Sequence, residues 1–89
     1  MHAVVTTKHR GVFAGLVESE SGDVVTLVQA RMCVYWETSM HGVLGLAAQG
    51  PSKACRIGPV VPRIKLRDVT ALIEMSPDAV AAWEAEPWR

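Results

Sequence analysis

The residues of this chain best suited to bind a ligand lie in the segment RMCVYW, residues 31–36. An arginine guanidinium is a planar donor that fits phosphate or carboxylate, and a tyrosine offers a flat stacking face and a hydroxyl group. On a β-strand, alternate side chains point to opposite faces. We therefore expect one set in the core: Met32, Val34 and Trp36. The other set is expected to face outward, as a subunit interface, a ligand contact or plain surface: Arg31, Cys33 and Tyr35.

A second candidate for anion binding follows Gly50. Gly45 and Gly50 have the glycine spacing of a phosphate-binding loop, but the residues after them are Pro51-Ser52-Lys53 instead of Lys followed by Ser or Thr. A nucleotide-hydrolysing loop is therefore not predicted. Backbone amides near Gly50, the Ser52 hydroxyl and the Lys53 ammonium remain candidates to hold a phosphate without hydrolysing it, and an ordinary turn is the alternative.

Basic residues concentrate in the middle of the chain, although the net charge is +0. The segment 38–67 holds five basic residues and no acidic one. Three of them, Arg63, Lys65 and Arg67, alternate with Ile64 and Leu66, so they form one charged strand face and are further candidate ligand contacts. A neutral chain is not expected to coat nucleic acid in general, but a local basic segment can bind one anionic ligand. Pairing with the acidic segments is the alternative.

Residues that support catalysis or metal binding do not form a recognisable pattern. The cysteines and histidines lack metal-ligand spacing: Cys33, Cys55, His2, His9 and His41. There is no G-x-S-x-G motif, and a cysteine in an apolar strand is usually an inert buried thiol. We therefore predict no enzyme, no cofactor and no metal. A small phosphodiesterase that uses His41 is a third and weaker alternative.

The distribution of apolar residues and turns predicts a mainly β (α+β) fold. Strands are expected over 11–20, 24–29 and 30–36, with a bend near Ala30, and again over 60–67 and 69–75. A short helix with Ser39 as N-cap is a weak prediction for 39–49, because Gly42 and Gly45 disfavour it. Ser76-Pro77-Asp78 predicts a C-terminal helix from Pro77 to residue 84 or 85. About five short, curved strands with this helix suggest a small SH3- or Sm-like barrel.

Length and composition predict one domain over residues 1–89 that associates with itself. A chain of 89 residues with 49% hydrophobic residues has more apolar content than so small a core needs, which favours a homo-oligomer over a compact monomer. No signal peptide and no membrane-spanning run are evident, and two cysteines do not make a secreted disulfide framework. The expected location is the cytoplasm.

The chain resembles a small family of bacteriophage and prophage proteins, a domain of unknown function. The resemblance runs from about Gly11 to Trp88 and rests on the order GVFAG, SGDVVTL, ARMCVYW, LAAQGPSK, VPRIKLRDVTALIE and a terminal Pro-Trp. It implies a phage context in a host cell, where small oligomeric β proteins bind nucleotide signals of anti-phage defence or attach to virions and host proteins.

These observations together predict a non-catalytic, homo-oligomeric protein that sequesters an anionic, nucleotide-like ligand. Arg31 and Lys53 are the expected phosphate contacts, Tyr35 the stacking face and Ser52 a donor. Replacing Arg31 or Tyr35 with Ala is expected to abolish binding and leave the fold intact. The alternative is a structural or protein-interaction module, such as a virion accessory or an inhibitor of a host protein.

Overall fold

A single antiparallel sheet, packed against two short helices, makes up the fold. The computed structural model describes residues 1–9, 11–36, 42–53 and 55–87. Within them the elements are β1 (His2–Thr7), β2 (Val12–Ser21), β3 (Val24–Tyr35), α1 (Gly42–Ala48), β4 (Arg56–Ile57), β5 (Val61–Leu66), β6 (Val69–Glu74) and α2 (Pro77–Ala85). The predicted mainly β fold with a C-terminal helix is confirmed. None of the described helices is long and apolar enough to span a bilayer.

The strand order is β4-β3-β2-β1-β6, and β5 also pairs with β3. The long strand β3 therefore has two partners on one edge. Its first part pairs with β5, from Val25↔Leu66 to Ala30↔Val61. Its last part pairs with β4, at Cys33↔Ile57 and Tyr35↔Arg56. Pairing between β5 and β6 is absent from the described sheet, so the sheet is not closed, and the predicted closed barrel is not shown.

Hydrophobic clusters cover both faces of the sheet. The cluster on one face joins the sheet to the helices, through residues that include Val4, Ala14, Cys33, Leu46 and Trp83. The cluster on the other face is made by the strands, through Ala3, Val5, Val25, Leu27, Ala30 and Leu66. Strand β1 lies between the two, and its residues 3, 4 and 5 are all 0% exposed. Burial on both faces explains why this strand is a continuous apolar run without alternation.

An irregularity in the middle of β3 reverses its alternation. Gln29 has a φ of 51°, and the register between β2 and β3 shifts between Ala14 and Leu16. The two strands approach closely here, because a Cβ on Gly15 would lie only 3.0 Å from the Val28 carbonyl oxygen. Such a bulge places one extra residue in the strand, so the side chains after it exchange faces.

The predicted orientation of residues 31–36 is therefore wrong in its main part. Arg31 and Cys33 are buried under the helices, and Arg31 is only 7% exposed. Met32 and Val34, which were expected in the core, are 42% and 59% exposed. Tyr35 faces outward as predicted, and the half-buried Trp36 packs against the helix-side cluster.

Helix α2 begins and ends where the sequence predicts. The Oγ of Ser76 accepts a hydrogen bond from the Ala79 amide at 3.0 Å and donates one to the Ala48 carbonyl at 2.6 Å. Helix α1 begins at Gly42, so a helix forms in the segment where it was weakly predicted, whereas the proposed N-cap Ser39 lies outside the described residues. The two helices meet at Gly50, where a Cβ would lie 2.5 Å from the Ala82 Cβ.

Candidate functional site

The guanidinium of Arg31 lies at the C-terminal end of α2. Its Nε donates to the Gly58 carbonyl at 2.9 Å, and its Nη1 donates to the Trp83 carbonyl at 2.7 Å and to the Glu86 carbonyl. Carbonyls in the last turn of a helix have no partner within the helix and carry partial negative charge. Arg31 therefore joins β3, the loop after β4 and α2, and it caps the helix.

The second terminal nitrogen of Arg31, Nη2, is not fully buried. Nη2 makes no hydrogen bond to another described residue. In the described part of the chain, every side-chain nitrogen or oxygen that is fully buried has a hydrogen-bond partner. This nitrogen therefore reaches solvent-accessible space. The ion pairs between described residues are His9–Asp68 and Arg63–Glu18, so no described carboxylate is paired with this buried charge.

A cavity of about 270 Å³ lies beside Arg31, between α2 and the sheet. Apolar side chains make much of its wall, among them Met75, Val80 and Trp83. Arg31 and Glu84 contribute the charged groups, and His2 and Gln29 also line it. A mostly apolar cavity with a few polar groups is the usual form of a small-molecule site.

Trp83 is fixed in this wall at both of its ends. Its ring nitrogen Nε1 donates to the Leu46 carbonyl at 3.0 Å, and its own carbonyl accepts from Arg31. The side chain is 3% exposed. A buried residue whose ring nitrogen and main-chain carbonyl are both bonded presents a rigid wall, which lowers the entropic cost of ligand binding.

The other predicted contacts lie away from this cavity. Tyr35 is exposed and pairs across the sheet with Arg56, whose strand follows the turn that contains Ser52 and Lys53. The Ser52 Oγ lies 3.8 Å from the Cys55 Sγ, and the Ser52 carbonyl accepts from the Cys55 amide. The structure thus brings Tyr35 to the same end of the sheet as Ser52 and Lys53, but it does not bring them to the Arg31 cavity.

The basic residues of β5 form a third, separate location. Arg63, Lys65 and Arg67 are exposed and Leu66 is buried, as the alternation predicts. Arg63 makes a bidentate contact with Glu18, at 2.7 and 3.0 Å. Strand β5 lies beside residues 25–30 of β3, not beside residues 31–35. The ligand-binding role of these three residues stays a prediction.

Among the described residues that line the cavity, Arg31 is the one that was also a predicted ligand contact, and the polar and aromatic residues that were missed are His2, Gln29, Trp83 and Glu84. Trp83 was predicted only to dock the helix. His2 and Gln29 were missed because the sequence did not predict the local structure around them: β1 lacks alternation, and Gln29 lies in the bulge. The bend predicted near Ala30 was the one local signal of this site.

Cys33 and Cys55 are free thiols buried in the helix-side cluster. Burial, followed by the neighbouring Cys55, raises the pKa of Cys33 to about 12, and a backbone hydrogen bond at Tyr35 partly opposes this shift. A thiol with so high a pKa is a poor nucleophile at neutral pH. In the described ranges, no three His, Cys, Asp or Glu side chains are grouped in a way that could hold a metal ion.

An exposed apolar surface lies on the opposite side of β3. Met32 and Val61 line a hollow of about 140 Å³, together with Phe13, Pro59 and Ile64. Val34 extends this surface along the strand, because it shares the face of Met32. We call Met32, Val34 and Val61 the β3 patch. Contiguous exposed apolar surface of this kind is typical of protein contact sites.

Comparison with known proteins gives one match. The protein-family model described as "Domain of unknown function (DUF6948)" matches residues 1–83. No curated protein matches the chain, and no solved structure matches it. The predicted resemblance to a domain of unknown function is thereby confirmed, and the phage context stays a prediction.

Proposed function

Because the chain belongs to the DUF6948 family of domains of unknown function, its function must follow from its own geometry, and we propose that it is a non-catalytic protein that binds a small anionic ligand beside Arg31. The observation that carries the proposal is the Arg31 guanidinium. It is buried, it has no described carboxylate as an ion-pair partner, and Nη2 remains accessible. A buried charge without a counter-ion is costly, and an anionic ligand lowers that cost.

The neighbouring cavity supports this proposal. An anion beside Nη2 would receive a charge-assisted hydrogen bond, which is about twice as strong as a neutral one. Carboxylate and phosphate both fit such a donor. The low polarity of the wall around Trp83 strengthens the attraction, because electrostatic interactions are stronger away from water.

The setting of the proposal is the one predicted from the sequence. A phage or prophage protein in the host cytoplasm would capture a nucleotide-like defence signal and leave it unconverted. The site differs from the predicted one, since Arg31 acts from beneath α2 and Trp83 takes the place of Tyr35 as the aromatic wall.

The barrel also belongs to this proposal. Strands β5 and β6 are the outer partners of β3 and β1, and only residues 67 and 68 join them. So short a link keeps the two margins of the sheet close together. This arrangement supports a strongly curved, SH3- or Sm-like sheet.

The test is thermal unfolding of the protein with separate additions of acetate, inorganic phosphate and AMP. A ligand at 100 times its Kd stabilises the native state by about 2.7 kcal/mol. The blocking variant is Val80→Phe, which adds bulk to the cavity wall and keeps Arg31 itself, and the matched control is Ala81→Phe on the exposed side of the same helix. Stabilisation that Val80→Phe removes and Ala81→Phe retains supports the proposal. If no anion stabilises the protein, or both variants behave alike, the proposal is wrong.

A second candidate function is self-association through the β3 patch. The patch is apolar and surrounds a hollow, so a second copy related by two-fold symmetry offers it an equally apolar partner surface. The measurement is the molar mass in solution by light scattering. Val34→Glu is expected to produce monomers, whereas Leu44→Glu, which changes an exposed leucine on α1, is not. A monomeric unmodified protein would refute this candidate.

A further inference from the structure

Arg31 and Glu84 line the same cavity but do not form an ion pair with each other. Arg31 projects from β3, and Glu84 belongs to the last turn of α2. Arg31 is buried at 7% exposure, whereas Glu84 is exposed at the edge of the cavity. The cavity therefore has a positive group in its wall and a negative group at its edge, and a ligand that carries both charges could contact each of them.

The size of the cavity limits that ligand. A volume of about 270 Å³ lies between the roughly 150 Å³ of an apolar cavity that binds benzene and the roughly 300–1,000 Å³ of pockets for drug-sized ligands. This is the size of one amino acid with an apolar side chain. A nucleotide has more than twice as many non-hydrogen atoms and would extend well outside.

The distribution of polarity in the wall agrees with this size. Met75, Val80 and Trp83 provide an apolar surface for a side chain, and the charged groups stand beside it. Gln29, an exposed residue at the bulge, adds a side-chain amide that both donates and accepts hydrogen bonds. A small zwitterion with an apolar tail matches each of these features.

We infer that the ligand of the cavity is a small apolar zwitterion of the amino-acid class. Its carboxylate binds Arg31 Nη2, its ammonium group binds the Glu84 carboxylate, and its apolar tail packs on Trp83. This inference rests on the proposed anion-binding function, and it places a small amino acid in the cavity instead of the nucleotide-like ligand predicted from the sequence.

The experiment measures binding of L-leucine, 4-methylpentanoate and 3-methylbutylamine by calorimetry. The last two are leucine without its amine and leucine without its carboxylate. We expect leucine to bind at least tenfold more tightly than either analogue. The same series is measured in Glu84→Gln, with Glu20→Gln, an exposed residue on β2, as the matched control.

Glu84→Gln is expected to weaken leucine binding about tenfold and to leave 4-methylpentanoate unchanged, whereas Glu20→Gln changes neither. L-Phenylalanine replaces leucine as a second probe of the tail. If 4-methylpentanoate binds as tightly as both amino acids, or Glu84→Gln has no effect, the ligand class is wrong and anion binding stands. If phosphate or AMP binds and no amino acid does, the inference is also overturned. If no anion of either series binds, the proposed function fails with it.

Discussion

Replacing Arg31 with methionine removes the bonds that hold α2 to the sheet. Two of its three hydrogen bonds, to Gly58 and Trp83, are buried, and the third, to Glu86, is partly buried. A hydrogen bond from a charged donor contributes about 1.5–3 kcal/mol. Methionine retains most of the apolar stem and relieves the cost of burying the charge, so we expect a net loss near the low end for two bonds, about 3 kcal/mol.

This loss is large relative to the stability of the domain. Domains have about 0.05–0.15 kcal/mol of stability per residue, so a chain of 89 residues has roughly 4–13 kcal/mol. A loss of about 3 kcal/mol lowers the Tm by roughly 12–24 °C in a domain of this size. The earlier expectation that Arg31→Ala leaves the fold intact is therefore withdrawn on physical grounds.

The measurement is urea unfolding followed by tryptophan fluorescence, with Arg56→Met as the control because Arg56 is exposed on β4. The control is expected to stay within about 0.5 kcal/mol of the unmodified protein. Arg31→Lys separates charge from shape: an ammonium group cannot reach all three carbonyls in one plane, so an intermediate loss is expected. A loss below about 1 kcal/mol in Arg31→Met, or one equal to that of Arg56→Met, would refute the assigned role.

Three further predictions concern stability and reactivity. Gly50→Ala is expected to lower the free energy of unfolding by about 2–3 kcal/mol, because its Cβ would meet Ala82 at 2.5 Å and its φ is +84°. Gly22→Ala, which has open space around it and a φ of +59°, is expected to lower it by about 1 kcal/mol. Both values are measured from the urea midpoints. Ser76→Ala removes the N-cap of α2 and should lower the free energy of unfolding by about 1 kcal/mol, and an unchanged midpoint would contradict the cap. The pKa of Cys33 is raised from 9.0 to about 12, so the thiol ionises at lower pH in the unfolded chain, and the free energy of unfolding falls as the pH rises through that interval. This fall should be smaller in Cys33→Ala. Equal slopes of unfolding free energy against pH in the two proteins would contradict the prediction.

Local signals in the sequence predicted the elements they control. Ser76 and Pro77 specify the start of α2 through backbone geometry alone, and the alternation around Ile64 and Leu66 reports a strand with one solvent face. Neither inference requires knowledge of the rest of the fold, and the structure confirms both.

The orientation of Arg31 was not predictable in this way. It depends on the bulge at Gln29, which is stabilised by the approach of Gly15 on another strand. Its burial also depends on acceptors in α2, more than fifty residues away along the chain, such as the Trp83 carbonyl. The period-two rule assumes a single buried face, and this sheet has clusters on both faces.

The central position of β1 has a consequence for synthesis. Residues 2–7 pair on one side with β2 and on the other with β6, and the Met75 amide donates to the His2 carbonyl. Strand β1 is therefore completed by a strand made some sixty residues later. Contacts of such long range slow folding, and an apolar strand that waits for its partner is exposed to aggregation. The two clusters cannot be completed until β6 and α2 have been made.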